Sequence, residues 1–101
     1  MVWRVAAAEG DVGENDVLGV VVEGQHIALY RLEGEFFATS NICSHEFALL
    51  SDGFVEAGCI ECPLHAAQFD IRTGKVMCAP ATTSIATYPV KLEGAQLLID
   101  L

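Results

Sequence analysis

Basic side chains are scarce in this chain: five Lys and Arg stand against fourteen Asp and Glu, a formal net charge of −9. A surface of that sign argues against nucleic acid or an anionic membrane as partner and favours basic proteins. Long apolar runs are missing as well. No stretch approaches the ~20 apolar residues that span a bilayer, and Met1-Val2-Trp3-Arg4-Val5 lacks the charged leader and long apolar run of a secretory signal. The expectation is a soluble, cytoplasmic protein, in which thiols stay reduced and bind metal more often than they form disulfides. Repeats, linkers, low-complexity tracts and a convincing helical period are all absent. What is present is an apolar fraction of 52% in 101 residues. That excludes a disordered chain and suffices for one domain over residues 1–101.

Strands account for most of the chain. A β-branched run at 17–22 ends at Glu23-Gly24, a second run covers 26–32 to Glu33-Gly34, and a third covers 35–40. Short apolar runs separated by X-Gly breaks predict an antiparallel meander. Further strands are expected at 59–61, at 68–71 and 75–78 around Arg72-Thr73-Gly74, and at 84–91 and 96–101 around Glu93-Gly94. Pro89 marks its strand as an edge or a bulge, and 46–50 could form a single helical turn. Short strands at roughly ten-residue intervals read as an all-β sandwich or barrel.

Two Cys/His pairs stand out, Cys43-Ser44-His45 and Cys62-Pro63-Leu64-His65, with sixteen residues between them. Both fall in loops projecting from the β scaffold, where a site is rigid yet reachable. Two soft thiolates and two imidazoles suit zinc, and they also suit an asymmetric [2Fe–2S] centre with imidazoles on one iron. In an extended loop residues i and i+2 lie roughly 6–7 Å apart on one side, which fits different atoms of a two-metal cluster better than one ion. A disulfide or a catalytic Cys–His dyad competes, but a dyad leaves the second pair without a purpose. Cys59 and Cys78 read as small buried side chains, His26 as a surface or satisfied strand histidine. The acids Glu9, Asp11, Glu14, Asp16 and Glu23, with no Lys or Arg among them, form either a solvated face or a docking face for a basic partner.

The two pairs together with Phe69-Asp70, Thr73-Gly74 and Pro80 resemble the Rieske family. The similarity is closest to the small Rieske-type ferredoxins of bacterial aromatic-ring-hydroxylating dioxygenases. This resemblance implies stacked antiparallel sheets with a two-loop cluster-binding subdomain at about 41–80. It implies one [2Fe–2S] cluster, with Cys43 and Cys62 on the inner iron, His45 and His65 on the outer iron, and a loop around Pro80 covering the third side. It implies an electron carrier rather than an enzyme, lying between a flavin-containing ferredoxin reductase that uses NADH or NADPH and a terminal oxygenase. After the cluster ligands only His26 is left, so the two-His, one-carboxylate iron site of an oxygenase cannot be built here.

Departures from the family pattern are informative. Glu46 and Ala66 stand where many relatives carry glycine after each histidine. Positions matching the loop disulfide of high-potential relatives look like Ala48 and Leu64, and those matching their Ser and Tyr donors to the cluster sulfurs are Ala67 and Phe69. Two thiolates, two sulfides and two ferric ions sum to zero, so reduction adds charge to an already acidic domain. The expected potential lies at the low end of the Rieske range, near ~−150 mV.

Overall fold

In the computed structural model, which describes residues 2–44, 48–64, 66–78 and 83–101, the described residues form eleven strands. They are β1 Trp3–Ala8, β2 Asp16–Val22, β3 Gln25–Leu32, β4 Glu35–Ser40, β5 Phe54–Glu56, β6 Cys59–Glu61, β7 Gln68–Asp70, β8 Val76–Cys78, β9 Thr87–Tyr88, β10 Val90–Glu93 and β11 Gln96–Asp100. Three antiparallel sheets result, ordered β1-β11-β10, β2-β3-β4-β9 and β5-β6-β7-β8.

Residues 27–30 of β3 are buried in succession, although neighbouring side chains on a strand point to opposite faces. The sheet containing β3 is therefore covered on both sides. Ile27 and Leu29 pack with Val12, Val22, Ala38, Leu97 and Ile99, towards the β1-β11-β10 sheet. Ala28, Tyr30 and Leu32 pack with Cys43, Leu50, Ile60, Cys62 and Phe69, towards the β5–β8 sheet. The all-β expectation of stacked antiparallel sheets holds, as three layers with the β2-β3-β4-β9 sheet in the middle.

The meander at β2–β4 follows the expected X-Gly breaks. Glu23 and Gly24 have φ of 50° and 79°, Glu33 and Gly34 51° and 77°. Left-handed values at both central residues are what a tight type I′ hairpin needs, since its twist matches that of the strands. A third such turn, Ala57-Gly58 at 50° and 78°, joins β5 to β6.

Three expectations need correction. β1 and β5 have no counterpart among the expected strands. The run at 84–91 is not one strand: β9 pairs with β4, β10 pairs with β11, and the chain changes sheet at Pro89. Proline has no N–H to continue a ladder, but its carbonyl accepts from the Asp100 N–H at 3.1 Å. The helical turn expected at 46–50 is found instead as a 3₁₀ turn at Leu50–Asp52; Glu46 and Phe47 lie outside the described residues.

Candidate metal centre

Two loops leave the strands by the same construction. The Cys43 N–H donates to the Ala48 carbonyl at 3.0 Å, and the Cys62 N–H donates to the Ala67 carbonyl at 2.7 Å. Just outside these bonds, Ile42 bridges Leu49 and Glu61 pairs with Gln68. Each cysteine thus opens a hairpin tip closed five residues later, with the histidine third in one tip and fourth in the other. His45 and His65 lie outside the described residues, as do Glu46 and Pro80.

Both cysteines are buried, Cys43 at 3% and Cys62 at 1% exposure, and both belong to the same apolar group with Ala67, Phe69, Leu50 and Ile60. None of the chain's four cysteines is in a disulfide, which removes that competing reading. Two thiols from distant segments, brought into one apolar pocket on matching loops, fit the thiolate half of a metal centre. A bound metal would take these residues as thiolates, and its positive charge would offset the cost of burying them. Among the described residues no group of three or more His, Cys, Asp or Glu is placed to hold a metal ion.

The base of the first loop is pinned by a residue the sequence reading passed over. Asn41 is 2% exposed. Its carboxamide donates to Ser51 Oγ at 2.9 Å and accepts from the Ser51 N–H at 2.8 Å. Its backbone donates to the His26 carbonyl at 3.0 Å and accepts from the Leu50 N–H at 2.8 Å. Asn two residues before Cys43 was the available signal, since a buried carboxamide must find partners. Ser44, within the first pair, donates its hydroxyl to the Thr83 carbonyl.

Other candidates sort as follows. Cys59 is half-buried on β6 opposite Asp70. Burial, then the Asp70 carboxylate, push its thiol pKa upward, so it stays protonated and makes a poor redox dithiol partner for Cys62. Cys78 was expected to be buried and is exposed: a bulge in the β7–β8 pairing sets it opposite Gln68, on the outer face of the sheet. His26 is exposed on β3, as expected.

Four of the five acids between Glu9 and Glu23 are engaged within the fold. Glu14 accepts from the N–H groups of Glu33 and Gly34 at 2.6 and 2.9 Å and so secures the β3–β4 turn. Asp11 accepts from Ala8 N–H and Asp16 from Val17 N–H, while Glu23 pairs with Arg4 at 2.6 Å. These roles stabilise turns and strand ends, which weakens the case for this stretch as a docking face.

Residues 2–89 match the family model described as Rieske [2Fe-2S] domain. The chain is 54% identical over 99 residues to the ferredoxin component of the naphthalene 1,2-dioxygenase system of Pseudomonas putida, covering 98% of this chain and 95% of that protein. Its fold superimposes on a ferredoxin of Sphingomonas yanoikuyae B1 with a TM-score of 0.94 at 35% identity, covering 99% of both chains. It also superimposes, at a TM-score of 0.91 and 28% identity over 97% of this chain and 92% of the other, on a chain from a complex of reduced oxygenase and oxidized ferredoxin in carbazole 1,9a-dioxygenase.

Proposed function

Because the chain belongs to the Rieske [2Fe–2S] family, we propose that it is a one-electron carrier between a flavin reductase and a terminal aromatic-ring-hydroxylating oxygenase. It is a ferredoxin component of a dioxygenase system and not itself an oxygenase. One Rieske cluster per chain is its cofactor. Cys43 and Cys62 would hold one iron, and His45 and His65 the other, within a cluster-binding part at about 41–80 of a single domain. When bound, such a centre supplies reversible one-electron reduction and oxidation.

The observation that carries this reading is the convergence of Cys43 and Cys62 in one buried group, on loops closed by the same hydrogen bond. The chain's own side chains then decide how the centre behaves. Leu50, Ile60 and Phe69 keep water from the thiolate side. Ala67 and Phe69 are fully buried and carry no hydroxyl, so these positions offer no side-chain donor to stabilise added negative charge. That supports a potential near ~−150 mV, at the low end of the Rieske range.

The reductase is NAD(P)H-dependent in this proposal and the setting cytoplasmic. Among the described residues no helix is long and apolar enough to cross a membrane. The purified protein should be red-brown, give a Rieske electron paramagnetic resonance signal on reduction, and be reoxidised by a partner oxygenase in stopped flow. A colourless, zinc-containing protein would sink the proposal. Ala67→Ser should raise the midpoint potential in a redox titration, and an unchanged value counts against the hydroxyl argument.

A further inference from the structure

We propose that Ser44 is a positioning residue whose hydroxyl latches the Cys43 loop to the segment beginning at Thr83, and so limits how often that side of the centre opens to water. This rests on the two loops being the seat of the cluster.

Ser44 lies between Cys43 and His45 in the first pair, and it is exposed. Its Oγ donates to the Thr83 carbonyl, across a sequence separation that no local turn explains. The residues after Thr83 are tied one by one to other elements. Ser84 Oγ accepts from the Val76 N–H at 3.2 Å. The Ile85 N–H donates to the Gly74 carbonyl at 2.9 Å, and the Ala86 carbonyl accepts from the Ser40 N–H at 2.9 Å. Those bonds fasten residues 84–86 to β8, to the turn before it and to the end of β4. Among the described residues, the Ser44 hydroxyl makes the one hydrogen bond from residues 41–49 to this segment.

Position gives the bond its leverage. A serine hydroxyl on a loop could satisfy itself with water, so closing onto Thr83 constrains the backbone between the thiolate ligand and the next residue. Residues 84–86 are held independently, so loss of the latch frees only the end nearest the loop and leaves the three sheets intact. An exposed hydrogen bond of ordinary net strength corresponds to about a 2- to 12-fold change in an opening equilibrium.

The test uses the full-length protein and its Ser44→Ala and Ser44→Thr variants. Hydrogen exchange read by mass spectrometry should quicken about 2- to 12-fold in the peptide containing Thr83 and Ser84 of Ser44→Ala. Peptides from β2–β4 should be unaffected. Ser44→Thr, which keeps the hydroxyl, should restore the wild-type rate. In loaded protein, loss of visible absorbance to a chelator should quicken in Ser44→Ala at unchanged Tm. Unchanged exchange in Ser44→Ala, equal loosening of every peptide, or failure of Ser44→Thr to restore protection would overturn the proposal. Exchange reads the latch whether or not the chain is loaded, whereas the wild-type resonance signal tests the cluster, so the two failures are distinguishable.

Discussion

Ala66 occupies a backbone conformation that alanine disfavours. Its φ is +58°, in the left-handed region where a Cβ meets the following carbonyl and glycine carries no such penalty. Glycine would occupy this conformation without the Cβ penalty. Ala66→Gly is expected to stabilise the protein by about 0.5–1 kcal/mol, a rise in Tm of roughly 2–6 °C; a lower Tm by differential scanning calorimetry would refute the strain. The cysteines give a second check at this scale. Cys78 is exposed, whereas Cys43 and Cys62 are buried and the Cys59 thiol is held protonated by burial and Asp70. Iodoacetamide at pH 8 should therefore add once per loaded chain, at Cys78, and mass-spectrometric adducts on Cys59 would contradict that assignment. The pairing of Cys43 with Cys62 was legible because soft donors at short, repeated spacing stand out in a sequence with four Cys and three His. The exposure of Cys78 was not, because it depends on a bulge that only the pairing of β7 with β8 creates.

At the scale of elements, β3 and β4 are joined by a buried polar chain as well as by their ladder. The Thr39 hydroxyl donates to the Ser40 carbonyl at 2.9 Å, which leaves the Tyr30 hydroxyl to donate to Thr39 Oγ1 at 2.8 Å. Burial pushes the Tyr30 hydroxyl well above its usual pKa. The unfolded chain therefore loses that proton near pH 10 while the folded protein keeps it. Stability is unaffected by this group below about pH 10 and falls above it, by up to about 1.4 kcal/mol per pH unit. Tyr30→Phe should cost about 1 kcal/mol at pH 8, and that deficit should shrink between pH 10 and 11 in urea titrations. A constant deficit would exclude Tyr30 as the source. Gly74 offers a sharper case in the turn before β8. It has φ of +75°, and a Cβ there would stand 2.1 Å from the Ile85 carbonyl oxygen. Gly74→Ala should cost more than about 1 kcal/mol, read as a large drop in Tm, because backbone must move. The β2–β4 meander was readable from runs of adequate length set off by X-Gly turns. The switch of sheets at Pro89 is visible only in the pairing of β9 with β4 and of β10 with β11.

For the whole molecule, the charge is strongly one-signed but unevenly spread along the chain. Residues 41–51, 62–67 and 76–86, which carry the two loops and the segment latched to them, contain Glu46 as their single charged residue, although the chain's net charge is −9. A net charge of −9 can guide the encounter with a basic partner over distance. Electron delivery to an oxygenase should slow as salt rises from 0.05 to 0.5 M through a lower association rate, with little change in the rate within the complex. A flat ionic-strength profile in stopped flow would remove the steering role. The sequence by itself determined the β class, the hairpin turns and the two Cys/His pairs, because these depend on residue type and on neighbours within a few positions. Tertiary structure alone decided that Cys43 and Cys62 share one buried group, that Asn41 and Ser44 brace the first loop, and that β3 is covered on both faces. Those facts depend on which distant segments meet, and packing between sheets, not local preference, selects the meeting.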